Sequence, residues 1–301
     1  MFYIHSISSI SHQLSFQSDG FSEKLFVLDD TSSLEVPDFK DILPPTALRR
    51  LSPILKISLT TALECRNKKE FDAIVVGTAL GCLQDTEKFL NTIRTSTSET
   101  LSPTAFIQST HNTIGGQISL FLKNHAYNMT HTQNALSFEI ALIDAITLLK
   151  EGNNNVLVGA ADEKIELLEK LRNSIIRSKY PLTSLATFFN LKNDQIENGI
   201  VIKDVTVNLN STIQLGDFID SFLEKNGIQF NEILKVYHSD CEFINGENTM
   251  NYLPYTGLNY SASALATHMA YDELSHNGKG LILIVNNICN NDFGLTLIEK
   301  C

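Results

Sequence analysis

Several residue groupings in this chain could do chemistry, and each is incomplete. His238, Asp240 and Cys241 combine a base, a carboxylate and a thiol within four positions. A local cluster of that kind rarely closes a metal shell unaided. His268 and Asp272 stand one helical turn apart and supply half of a metal site, but no third ligand follows at useful spacing. They read better as the polar edge of a packed helix, and no metal is expected. Gly77 to Gly81 (GTALG) matches neither phosphate-binding glycine pattern and reads as a tight turn. Ser137 offers a hydroxyl without a recognisable base or oxyanion partner, so it is expected to cap a helix start. Glu139 and Asp144 fall within an apolar run, where charges need partners. They are expected to pair across a subunit interface or to line a polar pocket.

The elements that would position a nucleophile lie between Asn134 and Glu163. The run from Ala135 to Leu149 is long enough for about four helical turns. It is apolar on most faces, so it reads as buried rather than surface-lying. Lys150, Glu151 and Gly152 close it. Asn153 to Asn155 form a turn. Val156 to Gly159 form a strand without alternation, as inside a sheet covered on both faces. Upstream, Ala126 to His131 is a candidate strand feeding the helix. Strand, sharp turn, buried helix and strand form a scaffold that presents a nucleophile at the positive end of a helix dipole. Here the first residue of the run is Ala135, which has no nucleophilic atom.

With 301 residues, 43% of them hydrophobic, the chain can bury a full core as one large domain or as two halves sharing a sheet system. A net charge of -11 argues against nucleic acid, which needs clusters of Lys and Arg. Arg49, Arg50 and Lys56 read as the solvated face of a helix. No stretch approaches the length of a membrane span. The start, MFYIHSISSI, lacks a basic region and a cleavage pattern, so no signal peptide is expected. Five scattered cysteines without CxxC spacing fit reduced thiols in a cytoplasm.

Taken in order, Phe2 to Ile10 reads as a strand and Ser11 to Asp41 as an irregular excursion. A helix over Thr46 to Cys65 should kink or restart at Pro53. Phe71 to Gly77 reads as a buried strand, Asp85 to Thr95 and Thr110 to Asn124 as helices. Glu166 to Arg177 reads as a charged helix. Strands are expected over Leu185 to Asn190, Ile200 to Leu209, Ile233 to Tyr237, Leu281 to Val285 and Leu295 to Ile298, with helices over Leu215 to Lys225 and Ala262 to Ser275. Ala135 to Val158 gives buried helix, Gly/Asn turn and apolar strand. Ala262 to Val285 gives the same succession at about the same length. This weak internal repeat predicts two β/α units with parallel strands covered by helices, the two buried helices packed between or against the sheets.

At this point the residues resemble a known family. Asn112-Thr113, Gly116-Gln117-Ile118, Phe121, Asn128 and Thr130 stand in one series with Ala135-Leu136-Ser137, Gly152, Val156, Val158, Gly159 and Glu163. This series resembles the segment around the nucleophile of the β-ketoacyl synthases, in the thiolase superfamily. LRRLSPILKISLTTALE and FDAIVVGTALG resemble the helix and strand that precede it. Tyr255 to Ala270 and Leu281 to Ile298 resemble the family's TGHxxGAAG segment and its closing strand–NSFGFGG–strand. The resemblance implies an α/β, five-layered αβαβα thiolase-like fold of two similar halves, 1–190 and 191–301, the second shortened. It implies pairing with another subunit through the strand before the nucleophile helix.

Carried over by residue, the family's nucleophilic cysteine falls on Ala135 and its second histidine on Leu258. His238 is the candidate remnant of the first histidine, although Ser239 and Asp240 replace the Gly-Thr that should follow. The glycine-rich gate loop falls on Ile288 to Phe293, with no glycine before Gly294. Three losses together imply that the chain no longer runs the condensation. The resemblance is then to chain-length factors, the silent partners of active ketosynthases. Ser137-Phe138-Glu139 and the short chain narrow it to those of aryl-polyene and flexirubin-type pathways. The implied role is to shape the acyl tunnel at the interface with an active β-ketoacyl-ACP synthase. Asn128, Thr130, His131, Gln133, Asn134, Phe138 and Glu139 are the candidate interface and tunnel residues; plain core packing is the alternative for Phe138. The growing chain would ride on an acyl carrier protein that docks mainly on the partner, and no cofactor is implied. The rival reading is a stand-alone enzyme with altered chemistry, a malonyl decarboxylase or thioester hydrolase.

Overall fold

A computed structural model describes residues 1–66, 70–95, 101–172, 178–210, 212–241, 244, 246–289 and 291–300. The chain starts with β1 (Phe2–Ile10), which pairs with a second neighbour only at its start, Phe2 and Tyr3. An irregular excursion follows, containing two short 3-10 turns at Phe21–Glu23 and Phe39–Asp41. The first half continues with α1 (Pro45–Arg50), α2 (Pro53–Glu64), β2 (Ala73–Gly77), α3 (Leu83–Thr95), α4 (Pro103–Gln108), α5 (Thr113–Leu122), β3 (Tyr127–His131), α6 (Ser137–Lys150), β4 (Asn155–Asp162), α7 (Glu166–Leu171) and β5 (Leu185–Lys192). Then come β6 (Ile200–Asn208), α8 (Leu215–Lys225), β7 (Ile233–His238), β8 (Thr249–Asn251), α9 (Leu253–Thr256), α10 (Ala262–His276), β9 (Gly280–Asn286) and β10 (Phe293–Lys300).

The strand order is β3-β2-β4-β5-β1-β6-β10-β9-β7-β8. Numbered within each set of five, it reads 3-2-4-5-1 and then 1-5-4-2-3, a palindrome. Strand directions repeat as well. β2 runs parallel to β3 and β4, as β7 does to β8 and β9. β5 runs antiparallel to β4 and β1, as β10 does to β9 and β6. Among the described residues, the two sets share strand pairing only where Phe2 and Tyr3 pair with Ile202 and Val201. The repeat expected from two buried helix–strand units is therefore present throughout both sets.

The layers follow from which face each helix buries. α2 packs on β1, β4 and β5, and α5 on β2 and β3, closing the outer face of the first set. α8 closes the outer face of the second set through Leu215, Ile219, Phe222 and Leu223. α6 and α10 lie between the sets. α6 touches β2 and β4 on one side and β6 and β10 on the other, while α10 touches β9 and β10 as well as β5 and β1. Helices contacted on two sides must be apolar all round, and buried residues occur at almost every position of α10. Five layers, αβαβα, result.

Some expectations change. Pro53 does restart the helix, taking the first position of α2 after Leu51 and Ser52 leave helical geometry. The inner helix begins at Ser137 rather than Ala135, because Asn134 turns the chain with a left-handed φ of 46°. The charged helix after Glu163 is seen as α7; residues 173–177 of its expected span lie outside the described residues. α4, β8 and α9 have too few residues to show a period and were not expected. Among the described residues, no helix is long and apolar enough to cross a membrane.

Gly77, the last residue of β2, fixes the depth of α6. A Cβ there would collide with the Ser137 carbonyl and lie 2.8 Å from the Phe138 nitrogen. Backbone cannot swing aside as a side-chain tip can. Gly77→Ala is expected to lower unfolding free energy by about 3 kcal/mol in a urea titration. Gly116→Ala in α5, where nothing lies within 4 Å, should be neutral or slightly stabilising.

Candidate functional site

The turn between β3 and α6 is held by its own polar groups. Leu136 N donates to Gln133 O at 2.9 Å and Ser137 N to Asn134 O at 3.2 Å. Ser137 Oγ accepts from Gln133 N at 2.8 Å and donates to Asn134 O at 2.7 Å. The Ser137 hydroxyl is thus occupied in fixing the turn; it does not cap the helix as expected, since Leu136 holds the cap position without a side-chain bond and Ser137 is already the first helical residue. Ala135 sits at the bottom of this turn, 1% exposed.

Asn286, the last residue of β9, reaches Ala135. Asn286 Nδ2 donates to Ala135 O at 2.7 Å, to Glu139 Oε1 at 2.9 Å, and lies 3.2 Å from Ser263 Oγ on α10. The thiol of Cys289, in the loop that follows β9, is influenced by the Ala135 N–H. Burial pushes that thiol up, the Ala135 N–H pulls it down, and Asp292 pushes it up again. A cysteine therefore stands close in space to the position that lacks one in sequence. No sequence spacing signals this, since 154 positions separate the two residues and the topology brings them together.

Glu139 is buried, and burial raises its carboxyl to about 7 against the pull of Asn286 and Ser263. Its Oε2 has no hydrogen-bond partner of normal geometry. Of the two expected settings for Glu139 and Asp144, a subunit interface or a polar pocket, burial of Glu139 within its own chain fits the second for that residue. Glu139 is enclosed within its own chain by Asn286. Asp144 bonds His131 Nε2 at 2.8 Å and Tyr127 OH at 3.1 Å, both in the same chain.

A cavity of about 220 Å³ opens at Cys289. Leu80, Leu168, Leu182, Leu258, Ile288 and Cys289 line it, with Asp162 and Glu163 in its wall. Leu258, where the resemblance sets a histidine, thus faces the same space as Cys289; its N–H donates to Pro181 O at 2.8 Å. His238 ends β7 and is buried. Its Nδ1 accepts from Cys241 N at 3.1 Å, and burial lowers its basicity while Asp240 opposes this. Asp240 turns instead to Lys179 and Asn251, so the local His238–Asp240–Cys241 grouping does not converge on one point.

The other candidates are placed as follows. Asn128 Nδ2 donates to Gly115 O at 2.9 Å, tying β3 to α5, and Thr130 Oγ1 is buried without a partner. Gln133 is half-buried and Asn134 exposed in the turn. Phe138 is fully buried and stacks on Phe189, ring centres 5.5 Å apart. His268 Nδ1 lies 2.7 Å from Ser9 Oγ and does not join Asp272. Asp272 accepts from Gly20 N, Ser22 N and Ser22 Oγ, and its carboxylate lies with groups of Asp19 and His276 within 4.8 Å of one another.

Sequence reasoning missed Asp162, which gathers five donors. Thr78 Oγ1, Ala79 N, Leu80 N and Ser261 Oγ reach its carboxylate at 2.8, 3.0, 2.8 and 2.6 Å, and Asn259 Nδ2 reaches its carbonyl at 3.2 Å. Glu163 beside it accepts from Gln84 N at 2.9 Å, and burial raises it to about 7. The available signal was a pair of carboxylates closing an apolar strand.

Residues 29–191, just over half of the chain, match the family model for the N-terminal domain of β-ketoacyl synthase. No curated protein sequence matches the chain. Among solved structures, the ishigamide ketosynthase/chain length factor is similar over 99% of both chains at 13% identity, with a TM-score of 0.80. A ketosynthase (ApeO) in complex with its chain length factor (ApeC) from Xenorhabdus doucetiae is similar over 99% of both chains at 17% identity, with a TM-score of 0.64. A β-ketoacyl synthase from Burkholderia phymatum is similar over 100% of this chain and 99% of that chain at 9% identity, with a TM-score of 0.79. At these identities the structural likeness concerns the fold.

The buried carboxyl of Glu139 gives a signed pH effect. Between about 4.5 and about 7 the unfolded chain ionises this group while the folded chain keeps its proton. Stability contributed at this position therefore falls as pH rises through that window and levels off above it. Glu139→Gln removes the effect. The stability difference between variant and parent should be flat below pH 4.5 and grow in the variant's favour by about 3 kcal/mol by pH 8. Paired urea titrations across pH check this, and a pH-independent difference would refute it.

Proposed function

The chain belongs to the β-ketoacyl synthase family, and from that membership we propose that it is a non-catalytic, chain-length-factor-like partner of an active β-ketoacyl-ACP synthase. The observation that carries this reading is Ala135. In this reading the turn, the inner helix and the surrounding sheet correspond to those that present the family's nucleophile, and the side chain at that place is a methyl group. Leu258 removes the second acid–base group from the same space.

The surface also supports a partner. β3 is an edge strand, hydrogen-bonded to β2 on one side only. It exposes Tyr127 and Met129, each 40% accessible. An unpaired edge bearing apolar side chains invites another strand. The equivalent edge of the second half, β8, has three residues and none of that apolar display. In this reading Asn128, Thr130, His131, Gln133 and Asn134 form the contact, and Phe138 and Glu139 lie behind it as the wall of an acyl tunnel. The solved ApeO–ApeC pair is described as a ketosynthase with its chain length factor, which supports the same division of labour here. The acyl chain, of the polyene or fatty-acid type, would arrive on an acyl carrier protein docked mainly on the partner. We assign the work to the cytoplasm and the two halves to 1–190 and 191–301.

The cavity beside Cys289 favours one rival, a stand-alone malonyl decarboxylase or thioester hydrolase. Decarboxylation needs an oxyanion site rather than a cysteine at Ala135. Incubating the pure chain with malonyl- and acyl-loaded carrier protein separates the two. Turnover by the chain alone would support the rival and sink the partner reading. Turnover only in a co-purified pair with an intact ketosynthase is the expected result. Met129→Lys, on the exposed edge, should weaken that pair at least tenfold in a binding titration, equivalent to about 1.4 kcal/mol, and leave the melting temperature of the lone chain unchanged.

A further inference from the structure

The duplication makes the two halves comparable element by element. β6, α8 and β7 repeat β1, α2 and β2, and β8 repeats β3. Between β2 and β3, residues 78–126 carry α3, α4 and α5. Between β7 and β8, residues 239–248 carry no helix among the described residues. In the first half α5 lies on α2, β2 and β3. It buries Ile114 and Ile118 one turn apart. Gly115 lets it close on the edge strand, where a Cβ would stand 2.7 Å from Asn128 Oδ1.

The matching place in the second half, framed by α8, β7 and β8, is a groove of about 640 Å³. Ile219 of α8 and Val236 of β7 lie in its lining, joined by Ile244 of the short connection. Phe230 stands beside them, 51% exposed. Gly216 also borders the groove, and a Cβ there would meet nothing within 4 Å. Asp220 flanks it from α8 and Glu247 from the connection. Among the described residues neither carboxylate has a cationic partner, and no lysine or arginine lines the groove.

We propose that this groove docks an amphipathic helix of a partner protein, aliphatic on the face that enters and basic along its flanks, in the position that α5 fills in the first half. The other half of the fold supplies the template: the same three supports, covered there by a helix that reads at i and i+4. Asp220 and Glu247 supply the charge, since carboxylates at a rim favour a basic helix and oppose an acidic one. Phe230 supplies an aromatic anchor beside an aliphatic floor, the kind of side chain that carries binding energy. The groove lies at the β8 end of the sheet, opposite the β3 edge. This helix therefore binds without displacing the subunit assigned to β3.

The test uses the full chain and a peptide of residues 112–123 carrying Gly116→Lys and Leu120→Lys. These changes keep the Ile114–Gly115–Ile118 face and make the outward face basic. The peptide is stapled, because a helix this short does not form unaided. Calorimetric titration should show saturable binding of one peptide per chain. The same peptide with Gly116→Glu and Leu120→Glu should bind at least tenfold more weakly. Gly216→Trp in the chain, which projects into the groove from an open position, should abolish binding and leave the melting temperature unchanged. Asp220→Lys should weaken binding at least tenfold. No binding of the lysine peptide, or equal binding by Gly216→Trp, would overturn the proposal. So would self-association of the lone chain that Gly216→Trp abolishes, which would give the groove to a second copy. Met129→Lys leaves the groove untouched, so peptide binding by that variant should match the parent whatever the outcome at β3.

Discussion

Two side chains at equivalent places in the duplicated fold hold its halves in register. β4 and β9 are the third strands from the two ends of the palindromic sheet. Each closes on a polar residue, Asp162 and Asn286, and each of these crosses to the helix start of the opposite half. Asp162 accepts from Ser261 just before α10, and Asn286 donates to Ala135 just before α6. The direct sheet pairing between halves is limited to two residue pairs, so these crossings and the packing of α6 and α10 carry the alignment. Loss of the Asn286 amide would strand two buried acceptors, which costs more than the bonds themselves are worth.

The same crossings create the site. Asp162 collects the loop after β2, so Leu80 and the start of α10 meet over one space. Asn286 fixes the first residue of its loop, and Cys289 and Ile288 follow into the cavity. Leucines and Ile288 share its wall with Asp162, Glu163, Lys164, Thr183, Asn259 and Tyr260. Glu139 lies outside that lining. One oxygen is satisfied by Asn286 and the other is not, in a place where an isolated charge is expensive. Keeping such a group at a cost to stability is a mark of a site rather than of a core.

Much of this was legible in the chain. Fully apolar strands such as AIVVG and LILIV, and helices apolar on every face, require layers on both sides of a sheet. Their repetition required two copies. Residue matches from Asn112 to Glu163 pointed to the right family. The pieces that could not be read depend on contacts between distant residues or on lengths below one period. α4, β8 and α9 belong to the second kind. Cys289 and Asn286 belong to the first, because their meaning comes only from standing against Ala135 after the sheet has closed. Glu139 was singled out correctly as a buried charge in need of a partner, but sequence could not say that the partner lies in the same chain.

The fate of the nucleophile position follows from how the turn is built. Its left-handed Asn134, the Ser137 hydroxyl and the Asn286 amide all grip main-chain atoms. None grips the side chain at 135. A methyl group can therefore stand there without loosening the turn, and Gly77 still seats the helix at the same depth. Chemistry at residue 135 and architecture around it are separable in this fold. A chain that keeps every support of the second retains its edge strand and its cavity whatever side chain stands at 135.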